Sequence, residues 1–146
     1  MLIDAGIPEM GSKVVDYIKS RGINKIDIIV ATHPHNDHIG EIPAVIKNFQ
    51  TGKFYMPKVT TITKTFENVL RAVKSKGLSI NVARAGVVLD LGNEVKAEIL
   101  APNSSHYDNL NNYSAVIKIT YRNTAFCSQE MQKNNRNRKC LIKDIT

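Results

Sequence analysis

A nine-residue block, Thr32-His33-Pro34-His35-Asn36-Asp37-His38-Ile39-Gly40, stands between an apolar run over 26–31 and an amphipathic stretch over 39–49. The run has the length of a buried strand, and the stretch has helical spacing. Between them the chain needs a strand–turn–helix unit that carries a polar cluster. Three of the chain's four histidines fall within six residues there, with an aspartate among them. Neutral imidazole is the commonest transition-metal ligand, and carboxylate is its usual oxygen partner.

The spacing has a physical reading. On extended backbone alternate side chains project to one side, so His33 and His35 both reach a single ion. Pro34 keeps His33 out of the helical region. Asp37 and His38 are adjacent and are expected to diverge, with Asp37 at or near a helix N-cap and His38 where the helix begins. That layout invites a second ion, and two ions can share a bridging hydroxide. A lone histidine beside an apolar run is usually packed or solvated. Three histidines and an aspartate are not accounted for that way, because buried polar groups need partners.

The string HPHNDH fits the HxHxDH signature of the metallo-β-lactamase superfamily. The longer form THPHNDHIG resembles the hydrolase domain of the ComEC/Rec2 competence proteins. Leu2-Ile3-Asp4-Ala5-Gly6 resembles that family's LIDxG strand end, followed by a helix over 14–22. Leu100-Ala101-Pro102 and Asn111-Asn112-Tyr113-Ser114 resemble the L-x-P and N-N-x-S segments of the competence branch. The resemblance covers residues 1–126. It implies an α/β fold, the αββα sandwich, with a dinuclear site at one edge. It also implies that His33 and His35 hold the first metal, and Asp37 and His38 the second. Asp37 is thereby the residue placed in the catalytic centre. Asp4 and Asn112 are candidates for the shell behind the ligands, with strand-end and turn formation as their alternatives. His106 carries no ligand spacing and reads as a solvated loop histidine.

Two pieces of the family pattern are missing from the chain. The family has a Gly-Asp after the N-N-x-S strand, whose aspartate bridges the metals, and a further histidine later. Here the strand over 121–126 runs into Cys127-Ser128-Gln129-Glu130. Residues 127–146 lack a clear period and carry 5 basic and 2 acidic side chains. Back-translating from Phe126 with permitted codons and restoring one T in the T run gives F-L-F-T-G-D-A-E-K-Q-Q-E-Q-E-M-L-N-K-G-Y-N. That restores Gly-Asp and an amphipathic helix. The expectation is a partial domain over 1–126 and an out-of-frame tail over 127–146. Cys127 and Cys140 then read as accidental. The start at Met1-Leu2-Ile3-Asp4 falls inside an expected strand. The sandwich is therefore expected to be incomplete, with N-terminal strands and the C-terminal half missing.

Composition adds bounds. An apolar fraction of 42% suits a folded globular body. No apolar stretch approaches the roughly 20 residues of a membrane span, and no signal peptide is visible. A soluble, bacterial-type protein is expected, in an undetermined compartment. The net charge of +7 raises a nucleic-acid partner, but lysines such as Lys13, Lys47 and Lys74 are scattered without aromatic interleaving. Solvated helix faces are the favoured explanation.

The coarse reading places strands at 1–5, 26–31 and 52–56. Helices fall at 11–21, 39–48 (interrupted early by Pro43) and 63–76, the last with Phe66, Val69, Leu70 and Val73 on one face. Strands follow at 79–83 and 87–89 around a turn over 84–86, then at 96–100, 115–120 and 124–126. Early β-α-β-α units followed by strands suit a layered sandwich.

The expected function is a metal-dependent hydrolase that attacks a phosphodiester or related ester with metal-bound hydroxide. Two divalent ions are implied, zinc by default and manganese as the alternative. Catalysis is expected to be impaired without the bridging aspartate. DNA or another phosphodiester is the candidate substrate. The alternatives are a non-catalytic metal-binding remnant or pseudogene product, and a basic nucleic-acid-binding module.

Overall fold

The computed structural model describes residues 1–8 and 12–128. The first sheet has the order β1 (Leu2–Ile3), β2 (Lys25–Val30), β3 (Gln50–Met56), β4 (Ile80–Val82), and all of its pairs are parallel. Parallel neighbours need crossovers, and helices supply them. These are α1 (Lys13–Ser20), α2 (Asn36–Ile39), α3 (Ile42–Asn48) and α4 (Lys64–Ser75).

The continuous apolar run in β2 marks a strand covered on both faces. Ile29 and Ala31 face the helices, among Val45, Ile46, Phe66 and Val69. Ile28 and Val30 face the opposite way. The register pairs Ile29 with Phe54 and Val30 with Tyr55, which carries the same division into β3. The second sheet is an antiparallel meander of β5 (Val88–Asp90), β6 (Val95–Ala101), β7 (Val116–Tyr121) and β8 (Thr124–Ser128). Its inward residues Leu89, Ala97, Ile99 and Ile117 pack with Ile28, Val30 and Tyr55. Two sheets joined face to face over this core, with helices outside the first, are the α, β and β layers of the expected αββα sandwich. A second helix layer is not found among the described residues, and Val88 and Phe126 on the second sheet are exposed.

Three local readings change. The helix expected over 39–48 is two helices, and Pro43 falls in the first turn of α3, where its missing N–H costs nothing. The turn over 84–86 is present but joins strands of different sheets, anchored by Ala85 N–H to the Pro102 carbonyl at 2.8 Å. The last strand continues past 126, pairing Ser128 with Ile117. The remainder of the tail, including Cys140, lies outside the described residues.

Candidate metal centre

The parallel strands of the first sheet all end at one edge, and the histidine block leaves β2 there. Asp4 follows β1 with φ +56°, a left-handed conformation that aspartate adopts more readily than most residues. Its N–H donates to the Val30 carbonyl at 2.9 Å. Its carboxylate accepts from the Thr32 N–H at 2.7 Å and from the Thr32 hydroxyl at 2.5 Å. The same Oδ2 lies 2.8 Å from His38 Nδ1. A carboxylate only accepts, so Nδ1 carries the hydrogen.

The rings gather closely. His33 is fully buried, and its Nδ1 accepts from the His35 N–H at 3.3 Å. The His33 and His35 ring centroids are 3.9 Å apart, edge to face, and those of His33 and His38 are 5.5 Å apart. The structure therefore brings the rings of His33, His35 and His38 together.

Two placements differ from expectation. The N-cap of α2 is His35, with extended φ −79° and ψ 153°, so Asp37 lies near the cap, in the first turn, and the helix begins before His38. The chain bends at Pro34 and His35, and the His35 carbonyl then accepts from the His38 and Ile39 N–H groups. Asp37 and His38 also do not diverge: Asp37 Oδ2 lies 3.7 Å from His38 Nε2. This distance is a charge proximity rather than a hydrogen bond. Asp37 is largely exposed, so its carboxylate is able to lean across the short helix toward the ring.

Backbone contacts pin the block. Ala5 N–H donates to the His38 carbonyl at 2.8 Å, and Ala115 N–H donates to the Thr32 carbonyl at 2.8 Å. A Cβ on Gly40 would lie 2.3 Å from Pro8 N and 2.6 Å from the Ile7 carbonyl carbon, so only glycine fits beneath that loop. Asn112 sits in a 3₁₀ turn, Leu110–Tyr113, with its N–H donating to the Asn109 carbonyl at 3.0 Å. The Asn109 side chain caps that turn by accepting from Asn111 N–H. His106 is an exposed loop residue, 3.8 Å from Asp108. Glu41, just past the block, is buried, and burial pushes its carboxyl above the ordinary range.

Thr32, Gly40 and Glu41 are the residues that sequence reasoning passed over. Thr32 had a signal, a hydroxyl at the end of an apolar strand. The role of Gly40 depends on a loop 32 residues away in sequence.

Three clustered imidazoles and a carboxylate suit a divalent ion that takes nitrogen and oxygen ligands. Among the described residues, no group of three or more His, Cys, Asp or Glu forms a ready coordination shell. The arrangement is a donor cluster, not a closed cage.

Residues 1–123 match the family model of the metallo-beta-lactamase superfamily, and the chain belongs to that superfamily. Membership implies a divalent metal, typically zinc. Over 109 residues the chain is 28% identical to ComE operon protein 3 of Bacillus subtilis (strain 168), a match covering 74% of this chain and 14% of that protein. The chain thus spans a small part of the length of this curated relative, and the likeness agrees with the competence-branch resemblance. A solved structure, Igni18, described as a novel metallo hydrolase from the hyperthermophilic archaeon Ignicoccus hospitalis KIN4/I, is 21% identical with a TM-score of 0.46. That match covers 79% of this chain and 44% of the other. Among the described residues no helix is long and apolar enough to cross a membrane.

Proposed function

We propose that this chain carries the metal-holding part of a metal-dependent hydrolase acting on a phosphodiester or related ester. His33 and His35 hold one divalent ion, and Asp37 and His38 a second, with zinc the expected metal and manganese the alternative. The observation that carries the reading is the Asp4 carboxylate 2.8 Å from His38 Nδ1, the outer-shell contact that orients a ligand imidazole. Bound ions would supply an activated water and neutralise charge on the substrate oxygens. The chain's own residues do the positioning: Asp4 fixes the His38 tautomer, Thr32 locks Asp4, and Pro34 sets the two first histidines on one side. Asn112 is proposed to lie behind this shell. Residues 127–146 are proposed to be an out-of-frame product, which sequencing of the locus tests.

Elemental mass spectrometry of the purified chain beside His35→Ala, with hydrolysis of bis(p-nitrophenyl) phosphate, tests the reading. About two ions per chain, lost in the variant along with turnover, is the expected result. An ion content unchanged by His35→Ala would overturn it. A second reading is a metal site without turnover, supported by the lack of the family's Gly-Asp after Asn111-Asn112-Tyr113-Ser114. It predicts bound metal with no hydrolysis.

A further inference from the structure

A cleft of about 780 Å³ opens along the same edge, lined by residues that include Tyr55, Lys58, Asn81, Arg84, Asn103 and Ser104. Its position follows from the topology. Lys58 comes just after β3 and Arg84 just after β4, as the histidine block comes just after β2. In the order β2, β3, β4 the strand before Lys58 lies one place, and the strand before Arg84 two places, from the strand that leads to the histidines. Loops of the second sheet form the opposite wall, tied on by the Ala85–Pro102 and Ala115–Thr32 hydrogen bonds.

The chemistry of the wall is one-sided. It holds two cations, several neutral polar side chains and no carboxylate. Lys58 and Arg84 are both exposed, and neither has an ion-pair partner among the described residues. Exposed lysines and arginines on helices are ordinary, but a concave pair without a counter-charge concentrates positive potential at one place. The arginine fork also matches phosphate oxygens in pairs.

We infer that Lys58 and Arg84 form an anion subsite that grips phosphates flanking the scissile one in a nucleic-acid strand. The inference rests on the phosphodiester reading of the neighbouring metal centre, and its binding step needs no metal. The cleft would select a polyanionic strand over a small isolated ester, because only a strand places a second phosphate beyond the histidines.

The test is fluorescence anisotropy with a labelled single-stranded oligodeoxynucleotide, run on the chain as purified and after chelation, across a salt series. Lys58→Ala/Arg84→Ala is expected to weaken binding about tenfold or more in both conditions, and to lower the salt slope by about 1.4. Lys47→Ala/Lys74→Ala, two exposed helix lysines elsewhere, is expected to change affinity less than about twofold. Equal losses in both pairs would overturn the subsite, because binding would then reflect diffuse charge. Unchanged affinity in the cleft variant would overturn it as well. A selective loss in the cleft variant, with no hydrolysis of any phosphodiester by wild type, supports the subsite while removing the catalytic reading. Excess inorganic phosphate that displaces the oligonucleotide from wild type as effectively as unlabelled strand would overturn the strand preference.

Discussion

Asp4 and His38 meet across 34 positions of sequence, carboxylate Oδ2 to imidazole Nδ1 at 2.8 Å. The same carboxylate holds the Thr32 amide and hydroxyl, so one side chain fixes both the strand end and the ring. Asp4→Asn keeps the left-handed backbone accessible but removes the charge. It is expected to lower metal affinity about 10–100-fold with little loss of secondary structure. Competition against a chromogenic chelator, read beside circular dichroism, checks this. Wild-type affinity in the variant would show that His38 is oriented by something else.

Gly40 lies under the loop at Ile7 and Pro8, where an added Cβ meets backbone atoms that cannot rotate aside. Gly40→Ala is expected to cost about 1–3 kcal/mol and to displace the end of the histidine block. Urea denaturation measures the first, and metal content the second. A variant as stable as wild type would mean that the loop shifts freely.

Thr63 caps α4, its Oγ1 accepting from the Phe66 N–H at 3.3 Å. Thr63→Ala is expected to lose about 1 kcal/mol, with metal content unchanged because the Thr63 hydroxyl bonds to the Phe66 N–H and not to a proposed ligand. Thermal unfolding with elemental analysis separates the two effects.

Glu41 is a pH-dependent cost. Its carboxyl is buried, and Oε2 finds no hydrogen-bond partner among the described residues. Burial raises its folded pKa above the ordinary 4.5, so the native state holds this proton more tightly than the unfolded chain. Stability from this group is then present below 4.5 and falls as pH rises through the raised folded value. Glu41→Gln cannot ionise. It is expected to match wild type near about pH 4 and to exceed its Tm by about 2–4 °C near about pH 8. The same Tm difference at both pH values would contradict the account.

Much of this was legible in the sequence because local rules and tertiary demands agree. The run 26–31 had to be a buried strand, and it takes both faces of the first sheet. The apolar face of 63–76 became α4, with Thr63 as its cap. His33 and His35 came together as their spacing across Pro34 suggested, although the chain bends there and is no longer a strand. The failures were of another kind. Where α2 starts depends on which carbonyl the His38 amide finds, and spacing does not say. The turn over 84–86 looked the same whether its strands paired or parted. Only the distant pairing of β4 with β3, and the hairpin that β5 makes with β6 instead of with β4, decide that. Glu41 broke the expectation that carboxylates stay in water, and no pattern in the chain announced it.

The hydrogen bond from Ala115 N–H to the Thr32 carbonyl joins the opening of β7 to the loop that bears the donors. It makes the docking of the two sheets and the occupation of the centre linked equilibria. An ion that tightens the loop must also strengthen the closure of the sandwich, and by the same free energy closure must tighten the ion. Amide exchange in β7 should therefore slow when metal is added.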